Sequence, residues 1–342
     1  MKRILLLVFF LVGFPLFSMQ DLEKMSQAFV LNLKKLEIPG YPNAFNPSII
    51  RWQGSLLMSF RIIPNPVFSF NSSIGLVWLD DNFNPIGTPQ ILSMRTNSLV
   101  PCRAEDARLL TVGDTLFLVY SDNEEEKITK GGFRVYISQL NFDGKQFSLH
   151  YVEKLSKFAG ESKERREKNW VPFDYKGNLL LAYSIAPHKI FRPLLGTQKC
   201  ETFADSSGLI TWDWGELRGG TPGIQMGEEY LAFFHSQKKM KTIHSDEKEM
   251  LHYFMGAYTF SREPPFEVTK ISPQPIVGKG FYKGPVYKPY WGSVRVVFPC
   301  GYVFDDKYIW IAYGRQDHEI WVVKLDKEGL LKSLIPVQTV QD

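Results

Sequence analysis

EDARLLTVGDTLFLVYSD, residues 105–122, is the stretch from which the fold is read. An alternating segment leads to Gly113-Asp114, a glycine-bearing pair of the kind tight hairpins use, and then to the apolar run Leu116–Tyr120. The same unit recurs four more times. Its copies are NPSIIRWQGSLLMSFRI at 46–62, NWVPFDYKGNLLLAYSI at 169–185, GGTPGIQMGEEYLAFFHS at 219–236 and VVFPCGYVFDDKYIWIAYG at 296–314. They turn at Gln53-Gly54, Lys176-Gly177, Gly227-Glu228 and Asp305-Asp306. Further strand-like segments follow, among them SIGLVWLDDNF at 73–83, FRVYISQLNFDG at 133–144 and HEIWVVKLDKEG at 318–329. Four strands per unit and five units predict an all-β, five-bladed β-propeller. A pair of β-sandwiches is the competing reading, disfavoured because the apolar strand returns in phase after every turn. In a propeller the first strand of each unit lines the central channel. Asn46, Asp106, Asn169, Gly219 and Phe298-Pro299 are therefore expected at one mouth.

Outside the repeat, MKRILLLVFFLVGFPLFS has a basic head, a short apolar run and a small residue at Ser18. This predicts a signal peptide over residues 1–18 and export, leaving residues 19–342 as one propeller domain. The run is short for a membrane span, so no stable membrane insertion is expected after cleavage; an uncleaved anchor is the alternative. Asp21–Leu36 reads as a short helix from its apolar spacing. The 40 basic against 36 acidic residues give a net charge of only +4, with no basic stripe, which argues against nucleic acid. Cys102, Cys200 and Cys300 are odd in number and widely spaced, allowing one bridge or three free thiols. The six histidines form no metal-binding spacing, so neither metal nor cofactor is expected. Oligomeric state is left open.

Chemistry concentrates where the units begin. Arg103, Glu105, Asp106 and Arg108 place two acids between two bases. Strand alternation sets Glu105 and Asp106 on opposite faces, so only one is expected to face a given pocket. A nearby arginine favours the ionised carboxylate and burial the protonated one, so such an acid can be tuned for proton transfer. A solvated ion-pair cluster is the plainer reading. The charge run ESKERREK, 161–168, ends against Asn169-Trp170, and its last members can reach the channel mouth.

The order of these motifs resembles glycoside hydrolase family 130, five-bladed propellers that cleave β-mannosides. The matching segments are NPS at 46–48 with Phe60-Arg61, EDAR at 105–108, EKNW at 167–170 and RGGTP at 218–222. Phe234-His235, Gly256–Tyr258, VVFPCG at 296–301 and YGRQD at 313–317 follow, so the resemblance covers residues 40–325. It implies that Asp106 is the general acid, protonating the glycosidic oxygen through a sugar hydroxyl, with attack from the opposite face and inversion. It further implies that Arg61, Arg108 and Asp317, joined by Asn46, hold the sugar next to the cleavage point. Trp170 is a candidate stacking platform for a sugar face, or else a core tryptophan. Lys168, Arg218 and His235 are similar to positions that ring phosphate in the family's phosphorylases, with His188 a looser candidate. The family's hydrolases use glutamate-activated water instead, for which Glu216 or Glu167 can serve. Two departures stand out: Ser184-Ile185 replaces a phosphate-binding His-Arg pair, and Ala107 replaces a proline. The second alters the local backbone without removing the acid; the first, with the export signal, favours hydrolysis of an oligosaccharide, and phosphorolysis, with inorganic phosphate as co-substrate, is the alternative. A non-catalytic glycan-binding propeller and an interaction scaffold are the remaining readings.

Overall fold

The computed structural model describes residues 19–65, 71–94, 102–123, 132–162, 165–206, 208, 210–284 and 294–337. The proposed signal peptide lies outside them.

The fold is an all-β propeller. Four sheets are regular four-stranded antiparallel blades. The first runs Phe45–Trp52, Ser55–Ile62, Ser73–Leu79 and Pro85–Ile91. The second runs Glu105–Val112, Thr115–Asn123, Phe133–Phe142 and Phe147–Leu155. The third runs Val171–Tyr175, Asn178–Ile185, His188–Leu194 and Lys199–Ser206. The closing blade contains Val297–Phe304, Tyr308–Arg315 and Glu319–Asp326, with Val30–Leu36 as its outer strand.

Two expectations need correcting. The unit at 219–236 does not build a four-stranded blade. Its strands belong to a seven-stranded sheet centred on the long pair Glu229–Met240 and Met250–Ser261, which also takes in short strands from either side. The helix expected over Asp21–Leu36 is also absent: Leu22–Met25 forms a 3-10 turn and Val30–Leu36 is a strand. The cause is non-local. After Glu319–Asp326 the chain enters a short α-helix, Lys327–Ser333, instead of a fourth strand. The open sheet edge is paired by Val30–Leu36, burying Leu36.

Each central strand reads as nearly unbroken apolar sequence because both its faces are covered. Leu56, Met58 and Phe60 pack toward the closing blade, while Leu57 packs toward the second. Leu110, Val112, Phe117 and Val119 join the second blade to the third. Further clusters link the third blade to the seven-stranded sheet and that sheet to the closing blade. The sheets thus form a ring with an apolar layer at every junction.

The hairpins follow the turn chemistry expected. Gln53-Gly54 and Lys176-Gly177 each place two successive residues at positive φ, the conformation that matches strand twist in a two-residue hairpin. Near the axis the inner strands approach closely. The Ser48 hydroxyl accepts the Leu109 N–H at 3.1 Å. A Cβ on Gly314 would lie 1.9 Å from Asn46 Oδ1. All three cysteines are free.

Candidate active site

The inner strands share one irregularity. In the first blade the register slips between Phe45 and Ser48, and in the second between Glu105 and Arg108. At each slip a non-glycine residue takes positive φ: Asn46 at 47° and Asp106 at 53°. Asn169, at the same place in the third blade, has φ of 63°. Such residues cost energy and persist where surrounding contacts impose them. The slip breaks strand alternation, so Glu105 and Asp106 both line the same cavity. The expectation that they face opposite ways is corrected by this bulge. A fourth strained residue, Asp317 at φ 48°, sits on the turn between Arg315 and Glu319. Its neighbour Gln316 fixes that turn by donating to Val296 O and accepting from Val296 N, both at 3.0 Å.

The cavity has a volume of about 830 Å³. It gathers Asn46, Arg61, Asp106, Lys168, Glu216, Arg218, His235 and Asp317 from the sequence-predicted set. Asn169, Gly219 and Phe298 also line it, as the channel-mouth reading expects.

At its centre is a chain of charges. Arg61 Nη2 donates to Glu105 at 2.9 Å, and Arg61 Nη1 lies 3.5 Å from Asp106. Lys168 Nζ also donates to Glu105. Asn46 Nδ2 donates to Asp106 at 2.8 Å. Arg61 is backed by the Phe45 ring at 5.0 Å and Lys168 by the Phe133 ring at 3.7 Å. Burial alone would raise the pKa of Asp106, but Arg61, Lys168, the Asn46 hydrogen bond and Arg108 together hold it below the usual carboxylate range. Asp317 behaves oppositely: burial, then the charge of Asp106, pushes it up to about 6.

Other predicted residues are placed differently. Arg108 is 1% exposed and lies behind the cavity wall. It donates to the carbonyls of Asp106, Gly219 and Gly220 and to Asn169 Oδ1. It therefore clamps three segments together and does not reach a sugar. Trp170 touches the cavity but its ring is packed among Phe158, Tyr183 and Phe191, with centroids 5.0 to 5.4 Å away. It is 2% exposed, so its faces are not a stacking platform. His188 lies away from the cavity, its Nδ1 bonded to Phe266 O at 2.6 Å and its ring against Phe260. An apolar surrounding, not a phosphate, explains that histidine.

His235 lies between the rings of Tyr253 and Phe298 and donates from Nδ1 to Gly219 O at 3.0 Å. Burial, Arg108 and Arg218 press its pKa down to about 3, so it is neutral with Nε2 left as an acceptor. Arg218 is paired at 2.9 Å with Glu216, both on the exposed rim. Ser184 lines the wall and donates to Pro187 O; Ile185 is buried in the core. Glu167 is buried, hydrogen-bonded to the Trp170 side chain, and burial raises its pKa. Its Oε1 has no partner.

Sequence reading missed Tyr253, Phe133 and Tyr183 as wall residues. Tyr253 and Phe133 come from strands outside the recurring hairpin motifs, whereas Tyr183 lies within the third, on Asn178–Ile185; nothing in the local pattern marks any of them as wall residues. Arg165 and Arg166, also on the wall, belong to the charge run expected to reach the mouth.

Comparison with known proteins completes the picture. A family model described as beta-1,4-mannooligosaccharide phosphorylase matches residues 19–335. A search of curated proteins finds no match. Among solved structures, the chain is similar to a β-1,2-mannobiose phosphorylase from Listeria innocua in complex with β-1,2-mannobiose. The TM-score is 0.58 at 15% identity, covering 91% of this chain and 95% of that one. A mannose phosphorylase from Leishmania mexicana, in complex with a phosphate ion, gives 0.58 at 11% identity, covering 91% and 93%. A glycosyl hydrolase from Bacteroides ovatus gives 0.58 at 12% identity, covering 95% and 96%. At these identities the likeness is one of fold.

Proposed function

Because the chain belongs to glycoside hydrolase family 130, an enzyme family of mannoside phosphorylases and hydrolases, we propose that it hydrolyses β-mannosidic bonds with inversion. Asp106 is the acid, working through a sugar hydroxyl, and Asn46, Arg61 and Asp317 hold the sugar beside the cleaved bond. The choice of water over phosphate rests on one observation. Each of the three side chains expected around a phosphate is already engaged or uncharged: Lys168 is bound to Glu105, Arg218 to Glu216, and His235 is neutral. Of the two glutamates, Glu167 suits the water-activating role better. Its Oε1 is unpartnered and burial raises its pKa, whereas Glu216 is tied to Arg218.

Phosphorolysis is the second reading, and it has its own support. Arg103, Arg165 and Arg166 add positive charge to the same wall. We read the seven-stranded sheet as the fifth blade of the expected propeller. We also read residues 1–18 as an export signal, placing the enzyme where glycan would be its substrate. Mass spectrometry of the secreted form tests that point through its N-terminal residue.

The deciding experiment incubates the purified protein with β-mannobiosides of several linkages, with and without inorganic phosphate. Hydrolysis releases mannose at the same rate in both, the first product being the α-anomer. Sugar 1-phosphate formed only with phosphate would replace hydrolysis with phosphorolysis. Asp106→Asn should fold and lose nearly all turnover.

A further inference from the structure

Charge is distributed unevenly along the cavity wall. In the buried part three carboxylates, Glu105, Asp106 and Asp317, face three cations, Arg61, Arg103 and Lys168. At the rim Arg218 pairs with Glu216. Among the described charged residues of the wall this leaves Arg165 and Arg166 with Glu167 alone. Glu167 does not neutralise them. It is buried, bonded to the Trp170 side chain, and forms no ion pair with either among the described residues.

Arg165 and Arg166 are both exposed. The other exposed arginines among the described residues, Arg51, Arg192 and Arg218, each pair with an acid. Arg165 donates from Nη1 to the Tyr183 hydroxyl at 2.7 Å, its guanidinium 5.9 Å from the centre of that ring. Its other nitrogens, and the whole Arg166 guanidinium, have no partner among the described residues. The backbone that carries the two is pinned. The buried Arg134 donates to Arg165 O at 3.1 Å and to Phe133 O at 2.9 Å, and the Glu167 N–H donates to Phe133 O at 3.2 Å. Two neighbouring cations held at a cavity mouth without counter-charge attract an anion.

We propose that Arg165 and Arg166 recognise an acidic group, a carboxylate or a phosphate ester, on the departing part of the glycan, so that the substrate is an anionic β-mannoside. This rests on the glycosidase reading above and names its substrate class. On that reading Asn46, Arg61 and Asp317 hold the sugar beside the cleaved bond in the buried part. Whatever is attached through its C1 oxygen therefore runs outward to the mouth. An oxyanion there meets the unused nitrogens of Arg165 and the guanidinium fork of Arg166. The Tyr183 hydroxyl sets the direction of Arg165. Inorganic phosphate acting as nucleophile belongs elsewhere. It must reach C1 from the face opposite the leaving group, deep in the cavity, whereas these two side chains stand in solvent at the rim.

The test compares three β-mannosides of the linkage cleaved fastest in the assay above, or of every linkage if none is cleaved. Their second sugar is glucose, glucuronic acid or glucose 6-phosphate. Calorimetric titration of each into Asp106→Asn reads affinity without turnover, and kcat/KM of the wild type reads use. At low salt at least one acidic mannoside is bound and cleaved about tenfold better than the neutral one, and the better of the two names the acidic group. About 1 M sodium chloride removes that preference. Arg166→Gln lowers the acidic-to-neutral ratio about threefold, Arg165→Gln/Arg166→Gln abolishes it, and Arg166→Glu reverses it. If the double variant does not fold, because Arg165 also holds Tyr183, the two Arg166 variants decide alone. Equal affinity for the three mannosides, or binding of none, overturns the proposal, and so does a preference that survives Arg166→Glu. Sugar 1-phosphate formed from the neutral mannoside and lost in Arg166→Gln overturns it too, since the arginines would then serve the nucleophile. If the wild type cleaves none of the three, the glycosidase reading fails while the calorimetric ratio still decides the anion site.

Discussion

Replacing Arg108 with methionine separates two roles for one residue. The side chain keeps an unbranched apolar stem and most of its volume but loses the guanidinium. The carbonyls of Asp106 and Gly220, together with Asn169 Oδ1, lose the Arg108 donor, while Gly219 O keeps the hydrogen bond from His235 Nδ1. Each buried acceptor left unpaired costs about 1–3 kcal/mol. Against this, the folded state no longer buries a cation, whose desolvation already depresses the Arg108 pKa. Partial cancellation leaves a net loss of about 3 kcal/mol. Urea unfolding followed by circular dichroism reads it as a lower midpoint at unchanged slope. Catalysis should suffer mainly in kcat, because Asp106 and Asn169 lose the clamp that fixes their strained backbones. A sugar-binding arginine would give the reverse: higher KM at wild-type stability. A stability loss below about 1 kcal/mol with KM raised tenfold would refute the clamp.

Gly314→Ala puts a methyl group 1.9 Å from Asn46 Oδ1, so kcat should fall at least tenfold with a stability cost of about 1–3 kcal/mol; wild-type kcat in that variant would mean Asn46 need not sit where it does. Leu118→Ala, at a fully buried position between the first and second blades, should cost about 2–5 kcal/mol in urea unfolding and leave KM unchanged. His188 and His252 are held down to about 4, and His235 to about 3, chiefly by burial. Unfolded imidazoles titrate near 6.5, so below that pH the unfolded chain binds more protons. Stability is therefore full above 6.5 and lost as pH falls toward 3–4. The urea midpoint should drop steadily from pH 7 to 5, and His188→Gln should flatten that slope; a flat wild-type profile would contradict it.

The propeller was legible because LLMSF, LFLVY, LLLAY and IWIAY each serve a strand covered on both faces, and such runs stand out without any knowledge of partners. Asn46, Asp106 and Asn169 were legible as one mouth because phase in the repeat is phase around the axis. Side-chain direction was not. Pairing Glu105 with Asp106 in one cavity depends on a slip imposed by the neighbouring strand, and alternation cannot foresee a slip. Arg108, His188 and Trp170 have residue types that suit a sugar or phosphate site. What separates core from cavity at these positions is a partner distant in sequence, such as Gly220, Phe266 or Phe158. Val30–Leu36 was misread as helix because the edge it pairs with lies at the other end of the chain.

That last pairing has a consequence for how the molecule comes into being. Val30–Leu36 is made well before the strand it needs, Glu319–Asp326. Throughout synthesis of everything between them the early segment waits without its mate. The circle shuts only once Glu319–Asp326 is available, and long-range closure of this kind is slow. A cut or an appended bulky tag just ahead of Val30 would thus act on the final fastening step, leaving the earlier sheets to assemble unhindered.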